Sequence, residues 1–155
     1  MVLSNTHAAS INDVTLTHAK AMFKGATRLG NTERQVPVKP VYRDNKLLGY
    51  LFLTNEIAPI PAYSGKPVAV LVGLDLNATI QGIQILEHEE PILVIGVNER
   101  HLTEYTAQYR GQSALSKIRV GAHNREGYIG VDGIAGATIT AMVLNRSIMR
   151  SAQRI

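Results

Sequence analysis

Two apolar segments, Pro67–Leu74 and Thr79–Leu86, joined across Asp75–Ala78, constrain this chain more than any other feature. In the first, Val68, Val70 and Val72 alternate with Ala69, Leu71 and Gly73, so neither face presents a polar side chain. A strand that is apolar on both faces needs cover on both. The chain offers helices at its two ends for that cover. Residues from about Ser10 to Leu29 read as a helix, N-capped by Ser10, with Val14, His18, Ala21 and Met22 at helical spacing and Gly25 and Gly30 ending it. Thr138–Gln153 is the clearest helix, with Ile139, Met142, Val143 and Met149 on one face. Its Arg146, Arg150 and Arg154 form an i, i+4 stripe toward the C-terminus, where the macrodipole favours positive charge. The expected fold class is α+β, one domain over residues 1–155, with an antiparallel sheet flanked by an N-terminal and a C-terminal helix.

The remaining elements fit that plan. Val41–Arg43 and Leu47–Thr54 read as a hairpin turning on Asp44-Asn45, residues suited to positive φ. Asn31–Lys39 reads as a polar loop, Glu56–Lys66 as irregular, and Ile92–Val97 as a third apolar run. Asn98–Tyr109 reads as a helix carrying Leu102, Tyr105 and Tyr109, and Ser116–Val120 and Tyr128–Asp132 as short extended segments.

Composition excludes several classes of function. With 45% hydrophobic and 18% charged residues, the chain is no disordered segment. The absence of cysteine removes disulfides, thiolate catalysis and Cys-based metal or iron–sulfur sites. Without tryptophan, six Tyr and two Phe are few for a nucleic-acid stacking platform. The net charge of +4 is distributed as +4, −4 and +4 over residues 1–50, 51–100 and 101–155, with no basic tract. It reads as solvated surface, and no nucleic-acid partner is expected. The apolar runs fall short of the roughly 20 residues that span a bilayer, and Met1-Val-Leu-Ser does not open a signal peptide.

Chemistry concentrates in Asp132-Gly133-Ile134-Ala135-Gly136-Ala137-Thr138-Ile139-Thr140. Its glycines and alanines allow close backbone approach, and a helix follows at once, whose first-turn amides form an anion site beside the hydroxyls of Thr138 and Thr140. The same turn can equally serve to pack a helix onto a sheet. No lysine follows Gly136 as a Walker loop requires, and Gly127, Gly130 and Gly133 do not give the dinucleotide spacing. The acidic stretch Glu87-His88-Glu89-Glu90 lacks the second spaced histidine of a zinc site, so no metal and no catalytic residue is assigned.

Asp132-Gly133-Ile134-Ala135-Gly136-Ala137-Thr138 resembles the flavinylation motif, Asp-x-x-Ser/Thr-Gly-Ala-Thr/Ser, of the FMN-binding domains of membrane respiratory flavoproteins. Ala135 departs from it, standing where that family has a hydroxyl residue. Similarity continues in Pro61–Pro67, Val72-Gly73-Leu74-Asp75-Leu76, Gly82-Ile83 and Glu87-His88-Glu89-Glu90-Pro91-Ile92, and the last pattern is most like the extracytoplasmic NosR/NirI type. The resemblance implies FMN joined through its phosphate to Thr138 by a flavin transferase. Asp132, Gly133, Ile134, Ala135, Gly136, Ala137 and Thr140 would surround the attachment, and Tyr63, Ser64, Gly65, His88 and Glu90 would lie near the ring. It further implies an electron-transfer module rather than a stand-alone enzyme, a periplasmic domain of a larger inner-membrane protein. Its partners would be that protein's membrane domain and an extracytoplasmic acceptor such as nitrous oxide reductase, in denitrification. The alternatives are a flavin domain of an Rnf or sodium-pumping NADH:quinone reductase complex, and a non-redox sensor or docking domain.

Overall fold

The computed structural model describes residues 9–33, 35–60, 68–87, 99–134 and 138–155, without the side chains at 87, 99 and 138–140. The both-faces-apolar segment becomes the strand Ala69–Asp75, buried from Ala69 to Leu74. It is the fourth strand, β4, of an antiparallel sheet ordered β1 (Arg28–Leu29), β2 (Val38–Arg43), β3 (Lys46–Leu53), β4 and β5 (Ile80–Glu87). On one face Val38, Phe52, Val70 and Val72 pack with Leu102 and Tyr105 of helix α3 (Glu99–Ala107) and Leu144 and Ile148 of helix α4 (Thr138–Arg154). On the other, Val41, Leu51, Leu53 and Leu71 meet Ile11, Val14, Ala19, Met22 and Phe23, from a 3₁₀ turn (Ile11–Asp13) and helix α1 (Leu16–Met22). Fully burying each such side chain contributes about 1.5–3 kcal/mol, which is why both sheet faces acquire a helix. The fold is α+β with helices at both ends, as the pattern implies. A four-residue helix, α2 (Thr54–Ile57), follows β3. Among the described residues no helix is long and apolar enough to cross a membrane.

Three glycines set how closely the N-terminal elements approach. Gly73 and Gly82 pair across β4 and β5, and Gly49 lies on β3 opposite Asp75. A Cβ on Gly73 would come within 2.9 Å of Phe23 and 3.0 Å of the Met22 sulfur. One on Gly82 would lie 2.6 Å from Met22 Cγ, and one on Gly49 would enter the Leu74 carbonyl oxygen and stand 2.8 Å from Phe23. The row is a slot for Met22 and Phe23.

Several boundaries differ from the sequence reading. The N-terminal helix is broken at Val14-Thr15, because each half has its own cap. The Ser10 hydroxyl accepts from Asn12 N–H at 3.2 Å and Ser10 N–H donates to Asp13, while Thr15 N–H donates to His18 Nδ1 at 3.0 Å. The break buries both Ile11 and Val14. The chain then turns at Gly25, with φ 80°, and Arg28–Leu29 is an edge strand rather than helix. β2 starts at Val38, three residues before the expected hairpin arm, and Asp44 supplies the anticipated positive φ of 54°. Ile118–Val120 (β6) and Ile129–Val131 (β7) form a separate parallel pair. So short a parallel connection is unusual; here it turns at Gly121 and Gly127, both left-handed. The buried stripe of α4 is Ala141, Leu144, Ile148 and Ala152, not the face centred on Met142, which is half exposed. Met149 does belong to the core. Ile92–Val97 lies outside the described residues.

The glycine slot gives a graded expectation. Gly49→Ala should destabilise by about 2–3 kcal/mol, and Gly82→Ala by less, because Met22 can change rotamer whereas the Leu74 carbonyl belongs to a central strand. Urea midpoints of the two variants measure this, and equal losses would show that the strands part freely at this row.

Candidate functional site

The Asp132 motif is reached from β7 and leads into α4, and neighbouring elements hold both ends. At its start, Asp132 N–H donates to Gln108 Oε1 at 2.6 Å and Gln108 Nε2 donates back to the Asp132 carbonyl at 3.0 Å. One side chain thus serves both backbone groups of a residue that no strand pairs. The Asp132 carboxylate points outward, 82% exposed, and meets His123 Nε2 at 3.1 Å. Ile134 turns the other way and is buried in the core with Val131 and Ala141. What Ile134 can bring to a cofactor is therefore backbone, not side chain. Gly133 sits under Val120, which a Cβ would touch at 3.4 Å.

At the far end, the first turn of α4 is fixed through Ala141. Its carbonyl accepts from the Tyr105 hydroxyl at 2.7 Å. Tyr105 also contacts the Tyr109 hydroxyl at 2.8 Å, and Tyr109 donates to Asn145 Oδ1 at 2.7 Å. Asn145 in turn donates to the Ile118 carbonyl at 2.9 Å, which ties α3, α4 and β6 together. Two hydroxyl hydrogens serve three oxygen–oxygen contacts, so one of them is shared. Burial pushes both phenols far above their ordinary value, keeping them protonated hydrogen-bond donors.

α4 begins at Thr138, the acceptor position of the motif, and Thr140 follows within its first turn. Ala135, Gly136 and Ala137 lie outside the described residues, as do Tyr63, Ser64, Gly65, His88 and Glu90. The flanks of the last two groups do converge. Ala69 pairs with Glu87, so the segment entering β4 and the segment leaving β5 part from the same end of the sheet. There the Thr54 hydroxyl donates to the Val68 carbonyl and accepts from Val70 N–H, both at 3.2 Å.

A second feature lies beside the motif. β6, the loop after it and the outer face of α4 enclose an open cavity of about 1170 Å³, lined by Lys117, Arg119, Arg125, Tyr128, Arg146 and Arg150 among others. Gln108, the paired tyrosines, Asn145 and this cavity were not legible as site features. Tyr105 and Tyr109 read simply as a helical apolar face, and nothing near Gln108 in sequence hints at Asp132.

The fold is α+β, and its 17-residue C-terminal helix begins at Thr138, the last residue of the Asp132 motif. The chain belongs to the FMN-binding domain family, whose model matches residues 63–153. It is 36% identical over 147 residues to the regulatory protein NosR of Pseudomonas aeruginosa, covering 95% of this chain and 21% of that protein. The regulatory protein NosR of Stutzerimonas stutzeri is 35% identical over 133 residues, covering 86% and 18%, and the protein NirI of Paracoccus denitrificans is 34% identical over 137 residues, covering 87% and 19%. The chain thus spans about a fifth of the length of these relatives.

The tyrosine pair makes alkaline stability a test of the support behind α4. Tyrosines in the unfolded chain ionise near pH 10.0, whereas the buried pair does not, so the stability that the pair contributes is complete below pH 10.0 and is lost as pH rises above it. Each such phenol adds a slope of up to about 1.4 kcal/mol per pH unit. Urea midpoints should fall more steeply above pH 10 in wild type than in the Tyr105→Phe/Tyr109→Phe variant, which starts about 1–3 kcal/mol less stable at neutral pH. Parallel slopes would mean that the pair ionises in the folded protein.

Proposed function

We propose that this chain carries FMN covalently, as a phosphate ester of Thr138, and transfers electrons as one domain of a longer NosR-type inner-membrane protein that supports nitrous oxide reduction on the periplasmic side. The observation that carries this reading is the start of α4. Thr138 is the first residue of a 17-residue helix, and the Gln108 pair on Asp132 and the Tyr105 bond to Ala141 hold the chain on either side of it. Membership of the FMN-binding domain family supports the cofactor, and the NosR and NirI relatives support the setting.

The residues present suit such a group. The unpaired amides of the first helical turn and the macrodipole favour a phosphate ester at this end by about 1–2 kcal/mol in a partly buried geometry. The exposed Asp132 carboxylate lies where a flavin transferase can read it. The ester forms between the Thr138 hydroxyl oxygen and phosphorus, with net loss of one water, and the bound flavin supplies the electron chemistry. Gly133, Ala135, Gly136, Ala137 and Thr140 are assigned to the phosphate by the motif, and Ile134 anchors its start in the core. Tyr63, Ser64 and Gly65 on one segment, and His88 and Glu90 on the other, are assigned to the ring because their segments leave the same end of the sheet.

Intact mass after co-expression with a flavin transferase should rise by one FMN less a water, and Thr138→Ala should show no gain. Thr140→Ala and Ala135→Ser should label normally. A full gain in Thr138→Ala would overturn the assignment. In labelled protein, Tyr63→Leu and His88→Ala should shift the flavin potential without blocking attachment; unchanged potentials in both would move the ring elsewhere.

A further inference from the structure

We propose that the cavity between β6 and α4 is a docking site for an acidic segment of a partner protein. Five cations from three separate stretches converge on it: Lys117 and Arg119 from β6 and its approach, Arg125 from the following loop, and Arg146 and Arg150 from α4. No Asp or Glu is among the lining residues, and among the described residues none of the five pairs with a carboxylate. Three of them gather on one ring: Arg125 lies 4.4 Å, Arg119 5.3 Å and Lys117 5.8 Å from the centroid of Tyr128. Like charges placed round a concave surface repel one another and focus a positive potential into it, a cost that an anionic partner removes.

The shape selects the kind of anion. At about 1170 Å³ the cavity exceeds the range of about 300–1,000 Å³ that small ligands fill, and its charges stand on both walls rather than at one point. Met142 in the lining is 51% exposed, and Leu115, next to the lining residue Ser116, is 79% exposed. Arginine, tyrosine and methionine around such apolar points compose the centre of a protein interface. Nucleic acid suits it less, because the sole aromatic ring in the lining is attended by three cations instead of standing free to stack on a base. Arg146 and Arg150 follow Thr138 on the i, i+4 stripe, roughly 12 and 18 Å along the helix. A docked partner would therefore lie along the helix that begins at Thr138, whether or not that residue carries flavin.

The test titrates the full ¹⁵N-labelled chain with an alternating Glu-Leu peptide, its Gln-Leu counterpart and an oligothymidylate of equal charge. The Glu-Leu peptide should shift amides at 117–128 and 142–150, with an affinity that falls steeply with salt. Arg119→Glu/Arg146→Glu should bind it roughly tenfold more weakly while keeping a native amide spectrum, and Lys20→Glu/Lys24→Glu, exposed on the opposite side of the sheet, should bind as wild type. Shifts spread over all basic surfaces, equal losses in the two charge reversals, or tighter binding of the oligonucleotide would each overturn the proposal. So would dimerisation of the chain alone that Arg119→Glu/Arg146→Glu abolishes, since the face would then belong to a second copy.

Discussion

The Tyr105 hydroxyl donates 2.7 Å to the carbonyl of Ala141, in a place where neither group meets water, and the position of α4 follows from that bond. A helix transmits position along its axis with little give, so fixing Ala141 fixes Thr138 three residues earlier. Tyr109 and Asn145 repeat the tie one turn further on, and Asn145 carries it across to β6. Leaving any of these buried groups unpaired would cost about 1–3 kcal/mol, so the set is retained or lost together. The residue assigned to the chemistry is held by residues that do none.

The same helix carries a second load. Of Arg146, Arg150 and Arg154, only Arg154 lies in its last turn, where the macrodipole contributes about 0.3–1 kcal/mol. Arg154 uses its position structurally, donating from Nη1 to the Ile57 carbonyl at 2.9 Å and tying α4 to α2. Arg146 and Arg150 face the cavity instead, against Lys117, Arg119 and Arg125. The cationic face thus stands on a chain whose net charge is only +4.

What could be read from sequence was what depends on local pattern. β4 is a continuous apolar run closed by turn residues, α4 has helical spacing, and the motif at 132–138 stands out by composition. The N-terminal break was hidden because Val14 fits a helical stripe as well as it fits the buried kink. β1 is two residues long and has no periodicity to find. Met142 stands on the apolar face that the spacing of α4 suggests, yet the core lies on Ala141, Leu144 and Ile148, and small Ala141 gives no apolar signal of its own. The basic face escaped because it contains no run: its five members are scattered from 117 to 150, and only the parallel pairing of β6 with β7 and the packing of α4 bring them together.

The residues that carry the family likeness divide by physical role. Gly73 and Gly82, within two of the similar segments, are explained by packing alone, since each would drive a Cβ into Met22. Asp75, beside Gly73 in the same pattern, folds the β4–β5 turn: its Oδ1 accepts from Asn77 and Thr79 N–H and its Oδ2 from Gln81. Ile134 likewise serves the core. Asp132 differs: its carboxylate is exposed, it meets His123 Nε2 among the described residues, and its backbone is fixed by a side chain from another element. A residue whose backbone is pinned while its charge is left in water has its side chain free for recognition. That contrast separates the part of the likeness that builds the fold from Asp132, whose exposed side chain no packing role explains.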